Sequence, residues 1–391
     1  MVSESGKQAV FAAALLAATL AAQAGPPPKT PPPSTQPSQG ELDSQAKELA
    51  EEYLKLLGDG YSTKSDAKRH LVYVSALDER TLRSVMSLLA AHGDAQRRML
   101  FPSPLQSNVV VILPTVADYR RLVSNPKALG QYDRRKRALV SISLSSILLH
   151  EFTHALHHND QLRAGQTHAV WVAEGIAMLF QHAKLADGNL APLPDWSLQP
   201  LQEAIRDKKV VALSQLMKMG RKQFTDRAEV CYPQVRWLMM YLHQSGKLKS
   251  FYETYKASYD QDRTGAMALE KTLGRPLKRI EAEWRSWVLA RKPPWRPANL
   301  PHAHLGIRMQ PAEGGVRIDG FLRGSAARRT GFLKVGDIII SVAGRPTPAP
   351  GDLTEAVQAC RPGQTVDIEV IRNGRTALIK QLLGAVRAQD K

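Results

Sequence analysis

Apolar residues recur at helical spacing over residues 44–58, SQAKELAEEYLKLLG, and over 80–93, RTLRSVMSLLAAHG. Each stretch predicts an amphipathic helix, the first with Ser44 as cap and the second ended by Gly93. NVVVILP at 108–114 is a β-branched run between Asn108 and Pro114 and predicts a strand. ADYRRLV reads as a short helix after it, and RALVSISL at 137–144 as a second strand. From Ile147 the period changes to helical, LLHEFTHALHH, and the chain stays mostly helical through WVAEGIAMLFQHAK, LQEAIRDKK, VCYPQVRWLMMYLHQ, KSFYETYKASY and LKRIEAEWRSWVLARK. Prolines at 293, 294, 297 and 301 then break the pattern, and short strands, glycines and one or two short helices follow.

Both ends of this folded stretch are marked by composition. Residues 9–22 are an apolar run, preceded by Lys7 and followed by Ala22-Gln23-Ala24, the small-residue pattern of a cleaved export signal over 1–24. The run is short for a membrane span, and an uncleaved anchor is the alternative. Residues 25–40, GPPPKTPPPSTQPSQG, are proline-rich and polar and cannot bury a core, so they read as a linker. The predicted division is therefore signal 1–24, linker 25–40, a first domain over 41–292, a second linker over 293–301 and a β-rich domain over 302–385.

The chain has 391 residues, enough for two or three domains, with 43% hydrophobic and 23% charged residues. The net charge of +17 is spread along the sequence without a nucleic-acid motif, so it reads as a solvated basic surface and nucleic acid is not an expected partner. The two cysteines, Cys231 and Cys360, form no metal pair and no disulfide framework, and both read as small buried residues.

The chemistry lies in His150-Glu151-Phe152-Thr153-His154. Residues four apart share a helix face, so His150 and His154 can address one ion, and Glu151, offset round the helix, can take a proton from a metal-bound water. A catalytic zinc site needs a third protein ligand and an open position. A third histidine at the extended-motif position is excluded, because His157 stands at its glycine and Asp160 at its histidine. His168 in AGQTHAVW reads as a surface or loop residue, and His157 and His158 as helix-surface residues or at most groups that support the ligands from behind. Phe152 and Leu149 read as core, and Trp171 as an anchor for its helix. Glu174 in Trp171-Val172-Ala173-Glu174-Gly175-Ile176-Ala177 remains, with nineteen residues between it and His154. That is room for a loop and a second helix, with Gly175 and Ala177 easing its approach to the first.

HEFTH followed by WVAEGIA resembles the gluzincin peptidases, in which a Trp-x-x-Glu-Gly-x-Ala helix supplies the carboxylate ligand. The setting, Gly130-Gln131-Tyr132-Asp133 and then a strand before the motif, is similar to bacterial peptidase MA-like proteins. The resemblance runs loosely from residue 41 to 291. It implies one Zn2+ on His150, His154 and Glu174, Glu151 as general base, and a peptide or protein substrate. It also implies that Tyr232, at the start of a later helix, donates to the substrate oxyanion, with Pro233 as a departure from the pattern. The resemblance gives no segment that would hold a free substrate amine, which leaves an endopeptidase as the default.

Residues 302–384 resemble a PDZ domain of the HtrA-protease kind. His304-Leu305-Gly306-Ile307 corresponds to the carboxylate-binding loop, and Gly324-Ser325-Ala326-Ala327, Gly331-Phe332, Val335-Gly336-Asp337-Ile338-Ile339 and Val342-Ala343-Gly344 to the later pattern. Asn373-Gly374 is a hairpin turn. The resemblance implies that Leu305, Gly306 and Ile307 bind a peptide terminus, with residues 307–309 as the strand edge and a helix at about 352–359 opposite. The alternative role is that of a spacer or internal brace. The expected architecture is α+β: a small mixed sheet carrying the HExxH helix, a helical lobe and a β-rich PDZ module. The expected location is periplasmic or extracellular. Two other readings compete: an inactive gluzincin-fold protein that binds peptides through the PDZ domain, and a surface protein whose basic charge is its active feature.

Overall fold

The computed structural model describes residues 37–125, 128–292 and 302–385. The expected signal, nearly all of the first linker and the whole of the second lie outside them.

The first element is α1 (Gln39–Leu57), and its cap is Ser38, not Ser44. The Ser38 hydroxyl accepts from the Glu41 amide, and the Glu41 carboxylate returns to the Ser38 amide at 2.7 Å, which satisfies both orphan donors. Ser44 lies inside the helix and donates to Glu48. Strands β1 (Ser62–Asp66) and β2 (Leu71–Ser75) follow as an antiparallel pair. Neither is legible as alternation, because every residue of β2 is buried. Helix α2 (Glu79–Met99) is capped by Asp78 and runs through Gly93 instead of ending there. A Cβ at Gly93 would stand 3.1 Å from the Phe152 ring, so this glycine serves packing rather than termination.

Strand β3 (Val109–Leu113), helix α3 (Val116–Leu122), and strands β4 (Gly130–Asp133) and β5 (Ala138–Ser141) complete the first sheet. Its order is β1-β2-β3-β5-β4, with β2, β3 and β5 parallel and an antiparallel strand at each edge. Edge strand β4 lies beside helix α4 (Ser146–Ala164), which carries the HExxH motif.

Helix α5 (Val170–Gln181) carries the WVAEGIA segment and ends at Gln181. A hairpin of β6 (Ala183–Ala186) and β7 (Asn189–Pro192) interrupts the expected run of helices. Then come α6 (Leu198–Arg206), α7 (Leu213–Leu216), α8 (Arg221–Thr225), α9 (Ala228–Gln244), α10 (Leu248–Ala257), α11 (Ala266–Leu273) and α12 (Leu277–Leu289). One continuous core joins sheet, α4, α5 and this helical lobe, through Phe152, Trp171, Trp237 and Trp284 among others.

The last part has its own core. It comprises β8 (Ala303–His304), β9 (Ile307–Ala312), β10 (Gly315–Phe321), α13 (Ala326–Thr330), β11 (Ile338–Val342), β12 (Arg345–Pro346), α14 (Pro350–Gln358), β13 (Thr365–Arg372), β14 (Arg375–Leu382) and β15 (Gly384–Ala385). Its sheet runs β14-β13-β11-β10-β9, so β9 is an edge. Cys231 and Cys360 are buried free thiols, one in each core. No helix among the described residues is long and apolar enough to cross a membrane.

Candidate metal centre

His150 and His154 face the same side of α4, and Glu174 on α5 closes on them. The two Nε2 atoms are 3.1 Å apart, and each lies 3.4 Å from Glu174 Oε2. All three side chains are buried, and their ligand atoms form a cluster that could hold a metal ion. Four ligands at 2.0–2.1 Å in a tetrahedron stand about 3.3–3.4 Å from one another, so the three donors fit three corners.

The chemistry of the donors points the same way. His150 Nδ1 lies 2.9 Å from Gln181 Oε1, an atom that can only accept, so Nδ1 carries the proton and Nε2 presents its lone pair to the cluster. Glu174 Oε2 is buried without a hydrogen-bond partner. Lone pairs converging at these distances in a buried site need a cation or a proton between them. Burial pushes the Glu174 carboxyl up, but His154, Arg221 and His150 outweigh it and hold it well below its usual range. Burial drives the His154 imidazolium down to about 4, with Glu174 opposing. The same burial acts on His150, where Glu174 and Glu151 prevail and hold it above its ordinary value.

Neighbouring groups orient the cluster. Arg221 Nη1 donates to Glu174 Oε1 at 2.9 Å and leaves Oε2 turned to the histidines. The α5 backbone comes close to α9 at Gly175, where a Cβ would meet Met239 Cγ at 2.8 Å and the Val235 carbonyl at 3.2 Å. Gly175 therefore eases contact with α9, not with α4 as the sequence suggested.

Glu151 points into the same space from the other side. Its Oε2 accepts from the Tyr132 amide at 2.8 Å, and its Oε1 is buried and unpartnered. Gly130 permits this approach of β4 to α4: a Cβ there would lie 2.9 Å from Ile147 Cγ2 and 3.2 Å from Glu151 Cγ. Burial raises the Glu151 carboxyl to about 7.

Tyr232 is buried in the second turn of α9, with its ring edge-on to Phe224 and its hydroxyl unpartnered. Burial and the charge of Glu174 raise that hydroxyl well above its usual range, against the pull of Arg221. Pro233 lies inside the helix.

Three histidines depart from the sequence reading. His157 and His168 are both buried, and their rings meet at 2.7 Å between His157 Nε2 and His168 Nδ1. His158 is half-buried and contacts the Tyr132 hydroxyl at 3.1 Å. Trp171 is buried and donates to the Thr264 carbonyl at 2.7 Å, which fixes the start of α5, and Phe152 and Leu149 are core residues. Sequence reasoning missed Arg221, Gln181 and Arg134. The Arg134 guanidinium, pushed down by burial and by Arg221, bears on Glu174. Gln181 lies seven residues beyond Glu174 on α5, a spacing that keeps both on one face and could have flagged it, whereas no spacing links Arg221 to the motif.

In the last domain, Leu305 and Gly306 are buried where β8 turns into β9, and Ile307 opens the edge strand. The Gly306 carbonyl accepts from the Leu322 amide at 2.8 Å. A PDZ-domain family profile matches residues 303–381.

This part of the chain is a PDZ domain.

Its curated relatives include a probable periplasmic serine endoprotease, DegP-like, of Pseudomonas fluorescens, 38% identical over 68 residues. That match covers 17% of this chain and 14% of the relative, so the chain spans only a small part of the curated proteins it matches. Among solved structures, the HtrA3 PDZ domain bound to a phage-derived ligand (FGRWV) is 26% identical and covers 22% of this chain and 88% of that one, with a TM-score of 0.20. An aminopeptidase N family protein from Idiomarina loihiensis is 12% identical over 84% of this chain and 68% of that one, with a TM-score of 0.34. Likenesses at these scores add nothing to the geometry of the metal cluster.

Proposed function

We propose that the chain is a zinc-dependent peptidase whose PDZ domain takes up peptide or protein termini. One observation carries the reading: two imidazole nitrogens and a carboxylate oxygen converge at 3.1–3.4 Å in a buried cluster beside an unpartnered carboxylate oxygen of Glu151. His150, His154 and Glu174 would hold the ion. When bound, zinc polarises a scissile carbonyl and brings the pKa of a water toward neutrality.

The chain's own residues then divide the work. Glu151, held through Oε2 by the Tyr132 amide, has Oε1 free to take a proton and to hand it to the leaving amine. The unpartnered Tyr232 hydroxyl is the donor for charge that builds on the carbonyl oxygen. Gln181 and Arg221 fix the ligands' orientation. An extended peptide would pair with edge strand β9 beside Leu305, Gly306 and Ile307, with α14 opposite. Export to the periplasm or beyond follows from the apolar run at 9–22 and suits PDZ relatives described as periplasmic.

The test is metal content and hydrolysis of a peptide library by the wild type and Glu151→Gln. The expected result is about one zinc per chain in both proteins, with activity at least about 100-fold lower in the variant. A wild-type chain that takes up no zinc after reconstitution at neutral pH would sink the reading.

A further inference from the structure

The PDZ domain does not hang from the rest of the chain. Glu369 on β13 is buried between the two domains, and three of its hydrogen bonds converge on the entry to the metal helix. Ser143 Oγ donates to both of its oxygens at 3.2 and 3.0 Å, and the Leu144 amide donates at 2.7 Å. Ser341 Oγ donates from the PDZ side at 2.8 Å, and the Ser145 side chain adds a further hydrogen bond from the connection. Ser143 and Leu144 belong to the short connection between β5 and α4, and both are buried. The same connection gives its Ile142 carbonyl to Thr376 Oγ1 of β14 at 2.6 Å. A buried carboxylate with no cation in this set survives only because donors surround it, so the contact is specific rather than a chance apposition.

A second contact reaches both ligand-bearing helices. The two-residue turn Ala343-Gly344 has positive φ at each position, 50° and 75°. The Gly344 carbonyl accepts from Ser146 Oγ, in the first residue of α4, at 2.9 Å. A Cβ at Gly344 would stand 2.8 Å from His182 Cε1 and 3.4 Å from Ser146 Cβ, so the turn packs closely against both. His182 directly follows Gln181, the residue that sets the His150 tautomer. One PDZ turn is thus wedged between the start of α4 and the end of α5. The contacts that reach α4 and α5 use β11, β13 and β14, whereas on the β9 side Arg120 of α3 pairs with Glu313, in the turn just after the strand, at 2.7 Å.

We infer that the PDZ domain is a built-in brace of the metal-binding helices, with Glu369 as the positioning residue that sets α4 against α5. This rests in part on the metallopeptidase reading, because the spacing it sets is that of His150, His154 and Glu174. Four residues, about one helical turn, separate Ser146 from His150, so a shift of the helix start is carried straight to the first ligand. The domain can brace through one side of its sheet and bind a peptide at the other.

The experiment uses the full chain as wild type, Glu369→Ala, Glu369→Gln and Asp367→Asn. Asp367 lies on the same strand, partly exposed and paired with Lys380, and serves as the control. Amide hydrogen exchange is measured without metal, and zinc affinity by competition with a chelator. In Glu369→Ala, protection over residues 143–154 should fall at least tenfold while α9 keeps its own, and zinc affinity should fall about 10- to 100-fold. Peptidase kcat should drop with KM unchanged, Glu369→Gln should recover most of each loss, and Asp367→Asn should match wild type. Protection and zinc affinity equal to wild type in Glu369→Ala would overturn the brace. If that variant does not fold, Ser146→Ala replaces it: a roughly threefold loss of protection over the same residues supports the brace, and none overturns it. A wild type that binds no zinc defeats the metallopeptidase reading, while the exchange data still decide the brace.

Discussion

Two pairs of buried histidines lie along α4, one within the helix and the next between the helix and the loop that follows it. His150 and His154 converge with Nε2 atoms 3.1 Å apart, and His157 meets His168 at 2.7 Å. Either pair would serve a metal by residue type, but 2.7 Å is a hydrogen-bond distance, closer than two tetrahedral ligands stand. The first faces Glu174 Oε2 at 3.4 Å, an oxygen with no hydrogen-bond partner. The second faces an aromatic wall: His157 stacks on Phe101 at 5.4 Å, and His168 lies edge to Tyr252 and tilted on Tyr255. The remaining His168 nitrogen is taken up by Gln166 Oε1 at 3.0 Å. The nearby carboxylate, Asp160, is already engaged by Tyr252 and Lys256. The difference lies in the carboxylate: it is left to the first pair and spent elsewhere beside the second.

The largest effect that could break this contrast is loss of metal. His154→Ala should abolish zinc uptake, whereas His157→Ala should bind zinc with wild-type stoichiometry and lose about 2–4 kcal/mol of stability from the cavity beside Phe101. Elemental analysis and denaturant unfolding read the two quantities separately. Zinc lost equally from both variants would dissolve the distinction.

A smaller effect sharpens it. Burial holds the His168 imidazolium down at about 4, with Lys256 and Arg134 adding to burial and Asp160 opposing, against an ordinary value of 6.5. Between those values the unfolded chain binds the proton and the folded chain does not. Stability is therefore full above about pH 6.5 and declines as pH falls toward 4. His168→Gln should flatten that decline in thermal unfolding of the metal-free protein and leave zinc affinity at pH 7 unchanged. An equally steep acid limb in the variant would place the sensitive group elsewhere.

Much of the candidate metal cluster was legible because its three residues sit on two short motifs, each on one helix. Four-residue spacing puts His150 and His154 together without knowledge of the fold, and Glu174 stood out by its setting in WVAEGIA. The groups that orient them were not legible. Arg221 and Glu369 reach Glu174 and the start of α4 from 47 and more than 200 residues away, through packing that no local pattern encodes, while Gln181 shares a helix face with Glu174 but names no partner until α4 is in place. The strands suffered differently. Residues 71–75, LVYVS, are wholly buried, so they lack the alternation that marks a half-exposed strand. Gly93 misled because a glycine inside a helix reads as a stop, although here its missing Cβ makes room for Phe152. His168 misled because a polar residue in a loop reads as surface until its partner from the neighbouring helix is known.

The two thiols give the molecule a pair of built-in clocks. Cys231 lies on α9 in the first core and Cys360 in the PDZ core, and burial pushes them to about 12 and about 11. Neither is a thiolate at neutral pH, so an alkylating reagent must wait for each core to open. Independent domains would run their clocks at unrelated rates. Domains joined through Glu369 share part of one opening event, and slackening that joint would let the Cys360 clock run ahead alone.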